Sequence, residues 1–262
     1  MQISKFEKIF YRVFLVLFLI YLLGPLLIVM LLSFNTSPAP TLPMKGFTLE
    51  WYRQLFMDKQ LKESILNSII VAIGVTIISV SVATTTSFAL VRYRFKGQNG
   101  FYALALSPII TPGVILGVSI LIFLYKIHFK PGLKAVVLGQ SSFIISFALL
   151  TIMARLRKFD LSLEEAAQDL GASKIKAILK ITIPYLKPAI VSAASLSFLL
   201  SFDNFNTTLF LVGNERTLPI QIYSMLRFGL SPKINAISTI LVVLTVLAGF
   251  FSSRTGKKEE TY

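Results

Sequence analysis

One acid stands inside an apolar run. Asp203 falls in Ser201-Phe202-Asp203-Asn204-Phe205-Asn206-Thr207-Thr208, a polar cluster within the otherwise hydrophobic stretch Ala189–Gly213. That is about 15 residues, or about 21 Å, along a helix that begins at Ala189. A carboxylate at such a depth in hydrocarbon is costly and is turned toward a cavity or a partner. Phe202 and Phe205 beside it would suit a cation, through Coulomb attraction and contact with the ring faces. Helical spacing puts Asp203, Asn206 and Thr207 on one face, with the two phenylalanines flanking it. The segment is either part of a path for a cationic solute (Phe202, Asp203, Asn204, Phe205, Asn206 and Thr207) or a structural network at a helix or subunit contact.

Covalent and metal chemistry have little to work with. The chain has no cysteine, which excludes disulfides and thiolate nucleophiles or ligands. Its single histidine, His128, lies between Lys126 and Lys130 and reads as solvated, with no role. No nucleophile–base pair, H-E-x-x-H or G-x-x-x-x-G-K-[ST] pattern occurs. No catalytic residue, metal or cofactor is therefore expected.

The elements that must position these residues are membrane helices. Of 262 residues, 55% are hydrophobic and 15% charged, with a mean hydropathy of +0.75. Soluble domains run about 45–50% apolar and about 25% charged, which argues against a water-soluble enzyme. Six stretches are long enough to cross a bilayer: Val13–Phe34, Ile65–Leu90, Phe101–Tyr125, Ala135–Ala154, Ala189–Gly213 and Ile234–Ser252. Residues 1–262 thus read as one all-α transmembrane domain of six helices. The first stretch has a basic flank, but it is too long for a signal peptide and lacks a small-residue cleavage site.

The net charge is +14, from 26 Lys+Arg and 12 Asp+Glu. With the N-terminus cytoplasmic, the inside segments hold 16 Lys/Arg in 65 residues and the outside segments 10 in 60. Both termini are therefore expected inside, and the excess charge reflects topology rather than nucleic acid. Pro25, Pro108, Pro112, Gly113 and Gly117 interrupt the spans. They reflect either ordinary packing or, in the third span, a bend around a cavity. Phe47–Met57 and Leu218–Leu230 read as interfacial elements outside, the latter too short to span and with Leu218, Ile222, Met225 and Leu226 on one face. The last helix is expected to start at Ser231-Pro232. The tail Arg254–Tyr262 reads as frayed.

The one large inside loop is 155–188. Ser162-Leu163-Glu164-Glu165 fits a capping box with Ser162 as cap and Glu165 reaching back. Gly171 suits a left-handed end to that helix. Ser173 can cap a second helix, Lys174–Ile181, which Pro184 would interrupt. Glu165-Ala166-Ala167, three residues, Gly171, nine residues, then Ile181-Thr182-Ile183-Pro184 resembles the EAA signature of permease subunits of bacterial ABC importers. One departure is Ile183, where that family usually has Leu. Further stretches, Pro108-x-x-x-Pro112-Gly113-x-x-x-Gly117, Leu218-Pro219-x-x-Ile222-Tyr223 and Ser231-Pro232-x-x-Asn235-Ala236, are similar to permease subunits of spermidine/putrescine systems.

The resemblance implies a type I importer permease that forms half of a translocation pore in the bacterial inner membrane. Its coupling helices would dock on a pair of separate ATPase subunits through Glu165, Ala166, Ala167, Gly171, Ile181 and Pro184. ATP hydrolysis would belong to those subunits, so this chain is not an enzyme. A second permease subunit and an extracytoplasmic binding protein would complete the assembly. The substrate implied is a polyamine or related cation. Iron(III), thiamine, phosphonate and opine importers share the architecture and stay open, as does a secondary transporter independent of an ATPase.

Overall fold

The structure is a computed structural model that describes residues 5–37, 43–227 and 232–256, with side chains described between residues 7 and 246 in those ranges. In chain order the helices are α1 (Lys5–Leu32), α2 (Glu50–Met57), α3 (Lys59–Arg92), α4 (Gln98–Ile110), α5 (Gly113–Lys126), α6 (Leu133–Leu156), α7 (Ser162–Asp169) and α8 (Lys174–Ala177). A π-turn over Ile178–Thr182 then leads into α9 (Ile183–Phe202), followed by α10 (Thr208–Leu211), α11 (Leu218–Arg227) and α12 (Pro232–Gly256). Contacts divide the chain into two compact units, residues 62–221 and residues 1–61 with 222–262.

Among the described residues, four helices are long and apolar enough to cross a membrane: Glu7–Leu32, Lys59–Arg92, Leu133–Leu156 and Lys174–Phe202. The third expected span is not one straight helix. Its halves, α4 and α5, pass the same test together but meet at an angle of 110°. The bend falls where Pro112 follows Thr111. A residue before proline is driven out of the α region, and proline cannot donate back to the preceding turn. Thr111 is accordingly extended, at φ −77° and ψ 125°. The sixth expected stretch is α12, which opens on Pro232; Ser231, its expected cap, lies outside the described residues, as does the tail beyond Gly256.

Residues 62–221 are built around the pairing of α6 with α9. The buried face of α9 repeats about every fourth residue, through Leu186, Ala189, Ala193, Ser197 and Ser201. Small residues on that stripe, with Ala193 packed in one cluster with Ala148 of α6, let the two backbones approach closely, the usual basis of packing in lipid. On α3, Thr76, Thr84 and Ser87 return their hydroxyls to carbonyls four residues back, at 2.7 Å each, so they pack without stranded donors. Val71, Val75, Leu124, Val136, Ile144 and Leu211 fill the core between these helices. The start of α6 is capped from a distance by the Glu215 carboxylate, which accepts from the Leu133 amide.

In the other unit, α12 packs on α1 and α2. The expected interfacial segment is a folded cap. Asn35 is buried, and its side-chain oxygen accepts from the amides of Ser37 and Lys45. Its carbonyl accepts from the Trp51 indole at 2.8 Å, and Phe34 stacks on Phe47 at 5.1 Å. α11 crosses from one unit to the other. Of the expected apolar face, Leu218 is buried, Ile222 and Met225 are half-buried and Leu226 is exposed, while Ile220 and Gln221 beside it are buried. The reason is polar anchoring: the Leu218 amide donates to Ser68 at 2.8 Å, and Gln221 accepts from Arg216 at 3.0 Å.

Gly117 is an approach to test because backbone stands against it as well as a ring. A Cβ placed there would lie 2.9 Å from the Phe210 ring and 3.1 Å from the backbone Cα of Thr207. A ring can swing but the backbone cannot, so Gly117→Ala is expected to destabilise the protein by about 1–3 kcal/mol. Thermal unfolding in detergent, compared with Gly100→Ala, where nothing lies within 4 Å, checks this.

Candidate coupling loop and helix-break cavity

The large loop, expected over 155–188, is shorter than that, because α6 continues to Leu156 and α9 begins at Ile183. Its first helix is not started by a capping box. Leu161 occupies the cap position without a side-chain bond. Asp160 supplies the cap instead, accepting from the Ser162 amide at 3.0 Å. Hydrogen bonds from the Ser162 side chain and backbone hold the Asp160 carboxyl below its ordinary range. Glu165, freed of that task, is exposed, as is Ala166.

Glu164 is the acid that the fold uses. Its two oxygens take a bidentate bond from Arg92 at the end of α3, at 2.6 and 2.8 Å. Thr182 donates to the same carboxylate and accepts from Arg92 at 3.3 Å. The Arg92 and Glu164 side chains are only 9% and 5% exposed. The guanidinium also lies over the Phe88 ring, 4.6 Å from its centre. Burial pushes the Glu164 carboxyl up, but the Arg92 and Thr182 bonds and the Arg92 charge outweigh it, and the group titrates below the ordinary glutamate value. One carboxylate thus ties α7, the π-turn and α3 together.

The turn between the loop helices is as expected. Gly171 has φ +86°, Ala172 donates to the Ala167 carbonyl at 3.0 Å, and Gly171 donates to Gln168 at 2.8 Å. This is a Schellman ending, and a Cβ at 171 would meet nothing within 4 Å. The glycine is needed for the sign of φ, not for space. Ser173 caps the next helix through the Lys176 amide. Pro184 does not interrupt that helix. The wider π-turn just before it absorbs the lost amide, and the helical path runs unbroken from Lys174 to Phe202. Ile181 packs against the Leu156, Phe159 and Leu186 cluster, facing inward. Leu163, Leu170 and Ile175 face out, Leu170 with 90% of its surface exposed.

The fifth expected span ends early. α9 stops at Phe202, and Asp203 is its C-cap, exposed rather than inside a helix. The shared helical face of Asp203, Asn206 and Thr207 therefore does not exist. Residues 203–207 form a turn in which Asn204 accepts from the amides of Thr207 and Thr208 at 3.2 and 3.3 Å. This turn meets the α4–α5 bend, and a cavity of about 200 Å³ lies between them. Its walls include Thr111 and Gly113 from the bend, Phe143 and Phe147 from α6, and Asn204, Asn206 and Thr207 from the turn. The structure brings those last three of the six candidate residues together and leaves out Phe202, Asp203 and Phe205. Phe202 stacks on Phe198 at 5.9 Å, and Phe205 packs against the core. Among the described residues, no group of three or more His, Cys, Asp or Glu comes together.

Arg92→Met would leave the Glu164 carboxylate buried and unpaired, which costs about 3–5 kcal/mol for such a pair. Hydrogen exchange in α7 is expected to lose protection accordingly, and the double change Arg92→Met, Glu164→Leu to recover part of it. Because Glu164 titrates below the ordinary value when folded, its stabilisation is full above that value and is lost as pH falls through the folded pKa. Protection of α7, corrected for intrinsic exchange, is expected to fall in that acid window and to lose this step in Glu164→Gln.

Comparison with known proteins agrees with this architecture. Residues 77–255 match the family of binding-protein-dependent transport system inner membrane components. The chain is 32% identical over 228 residues to the spermidine/putrescine transport system permease protein PotC of Escherichia coli K12, covering 87% of this chain and 86% of that one. It is 33% identical over 240 residues to the putrescine transport system permease protein PotI of the same organism, covering 88% and 85%. In fold it is similar to a chain of a bacterial ABC transporter involved in the import of alginate, with a TM-score of 0.74, 17% identity and coverage of 98% and 99%. The chain belongs to the binding-protein-dependent transport system inner membrane components, the permease subunits of ABC importers.

Proposed function

We propose that this permease subunit forms half of a pore that imports polyamines of the spermidine/putrescine class. A separate pair of ATPase subunits drives it through the 157–182 loop. The observation that carries the coupling role is the two-sidedness of that loop. Glu164, Thr182 and Ile181 are spent on holding it to the membrane helices. Glu165, Ala166, Leu170 and Ile175 are left exposed on the same two short helices. An exposed apolar knob outside the spans is stable in the cell when a partner covers it. With the knob inside, both termini are cytoplasmic, in keeping with the Lys/Arg bias. A second permease subunit closes the other half of the pore, and an extracytoplasmic binding protein delivers the solute.

The substrate reading rests on the relatives named above and on the chemistry of the helix-break cavity. Thr111, Asn206 and Thr207 offer oxygen acceptors, and Phe143 and Phe147 offer ring faces. Both suit an alkyl ammonium. Asp203 stands beside this wall and contributes attraction at longer range.

Two measurements test the proposal. Gly171→Val, which a left-handed φ does not tolerate, and Leu170→Asp are each expected to abolish co-purification of the ATPase subunits while the permease still inserts. Retained ATPase binding in both would remove the loop from coupling. In vesicles holding the whole complex, spermidine and putrescine are expected to compete for uptake, and Asp203→Asn to reduce it without changing basal ATPase turnover. Competition instead by iron(III), thiamine, phosphonate or opine would reassign the substrate.

A further inference from the structure

The two sides of the break between α9 and α10 are joined by one residue from another helix. Gln140 on α6 is 1% exposed, and both ends of its amide are used. The Ser201 hydroxyl, in the last turn of α9, donates to Gln140 Oε1. Gln140 Nε2 donates to Thr208 Oγ1, at the first residue of α10, at 2.8 Å. Thr208 Oγ1 passes its own proton to the Asn204 carbonyl at 2.7 Å, and Asn204 Oδ1 receives the amides of Thr207 and Thr208. Every donor in this series finds an acceptor in one consistent direction, which also fixes how the Gln140 amide is turned.

The network spans the stretch in which the helix is absent. The residues left between its ends include Asn204, Asn206 and Thr207, the polar wall of the cavity. Its neighbour Gly139 permits this closeness, since a Cβ there would run into Leu211 of α10. The Thr207 hydroxyl oxygen is buried without a partner in this chain, although Thr207 lines the cavity. A wall that keeps one hydroxyl unpaired while the Asn204 oxygens and the Thr208 hydroxyl beside it are bonded is held in place from behind.

Resting on the reading of this cavity as part of the solute path, we infer that Gln140 is a positioning residue. It does not meet the solute; it sets the conformation of residues 203–207, and through them the placement of Asn206 and Thr207. A leucine or methionine would fill the same space on an apolar helix, but it would leave the Ser201 and Thr208 hydroxyls to find other partners. The break would then be free to slide or to rewind toward a continuous helix, turning Asn206 away from the cavity.

The chain contains no cysteine, so a single introduced thiol reports its own surroundings. In the membrane-embedded complex, Asn206→Cys is modified with the small cation methanethiosulfonate-ethylammonium, alone or combined with Gln140→Met, Thr208→Val or Ser142→Ala. Ser142 bonds only back to the Gly139 carbonyl on the same helix and serves as the control. Loss of two buried hydrogen bonds in Gln140→Met and in Thr208→Val is expected to change the modification rate about fivefold or more, and Ser142→Ala to leave it unaltered. Solute moved per ATP hydrolysed is expected to fall in the same two variants, with stimulation of the ATPase by the binding protein retained. Equal modification rates in all backgrounds overturn the role of Gln140 while leaving the cavity on the path. A thiol at position 206 that the reagent reaches in no background overturns the path reading and this inference together. Thr208→Val stands in if Gln140→Met does not assemble.

Discussion

A helix that stops within hydrocarbon leaves carbonyls at one end and amides at the next without water to take them. Residues 62–221 interrupt an apolar helical path twice, at Thr111-Pro112 and at residues 203–207, and the arrangement of the unit follows from how the two breaks are satisfied. At the first, the Thr111 hydroxyl bonds back to the Ser107 carbonyl at 3.2 Å. At the second, the Asp203 and Asn204 amides close the last turn of α9 onto Leu199 and Ser201. Asn204 and Gln140 then satisfy the start of α10. The breaks also meet each other. Gly113 stands against Asn206 and Gly117 against Thr207 and Phe210, where any side chain would intrude. Irregular backbone away from water is tolerated where it lines a cavity or is enclosed by protein, and both breaks line the same cavity.

At the other end of α9 the dominant interaction is the buried ion pair. A guanidinium and a carboxylate taken out of water repay their desolvation only with good geometry and further hydrogen bonds. Arg92 and Glu164 have the bidentate geometry, the Thr182 hydroxyl and the Phe88 face. Thr182 is the last residue before α9, and Phe202 is the last residue in it. The clamp and the cavity wall are therefore joined by one continuous helix of about 30 Å. A shift of α7 that moves Glu164 is felt at Thr182 directly, and α9 is the rigid element that would carry it toward Ser201 and Gln140.

The sequence made much of this legible, and what it hid has a common cause. Apolar run length located the long helices α1, α3, α6 and α9, because burying hydrocarbon is a property of composition. Gly171 and Ser173 were legible as helix ends because their roles are local, settled by one φ angle and one amide. The errors fell where a distant residue decides. Glu164 and Glu165 differ by about 100° of rotation on a helix, and the choice between them is made by Arg92, 72 residues upstream. A basic residue closing an apolar helix beside Phe88 was the available sign that a buried acid was needed. The end of α9 is likewise set by Gln140, 61 residues before Ser201. A polar residue amid an apolar stretch was the trace of that partner. Pro184 read as a stop under a rule for α-helices, which a π-turn escapes.

Asp203 keeps an electrostatic effect after losing the position first given to it. It is exposed at the C-terminal end of α9, where the helix dipole already concentrates partial negative charge. A carboxylate there is disfavoured by about 0.3–1 kcal/mol, whereas a cation is favoured by a similar amount. The α4–α5 bend, by contrast, sets a helix C-terminus against a helix N-terminus, and their partial charges largely offset each other. α10 is a single turn and has little dipole of its own to oppose that of α9. The uncompensated field beside the cavity is thus negative, and its source is α9 together with Asp203. On the proposed reading of the cavity as part of a cation path, that placement works against an anion at the polar wall, even though Asp203 itself does not line the cavity.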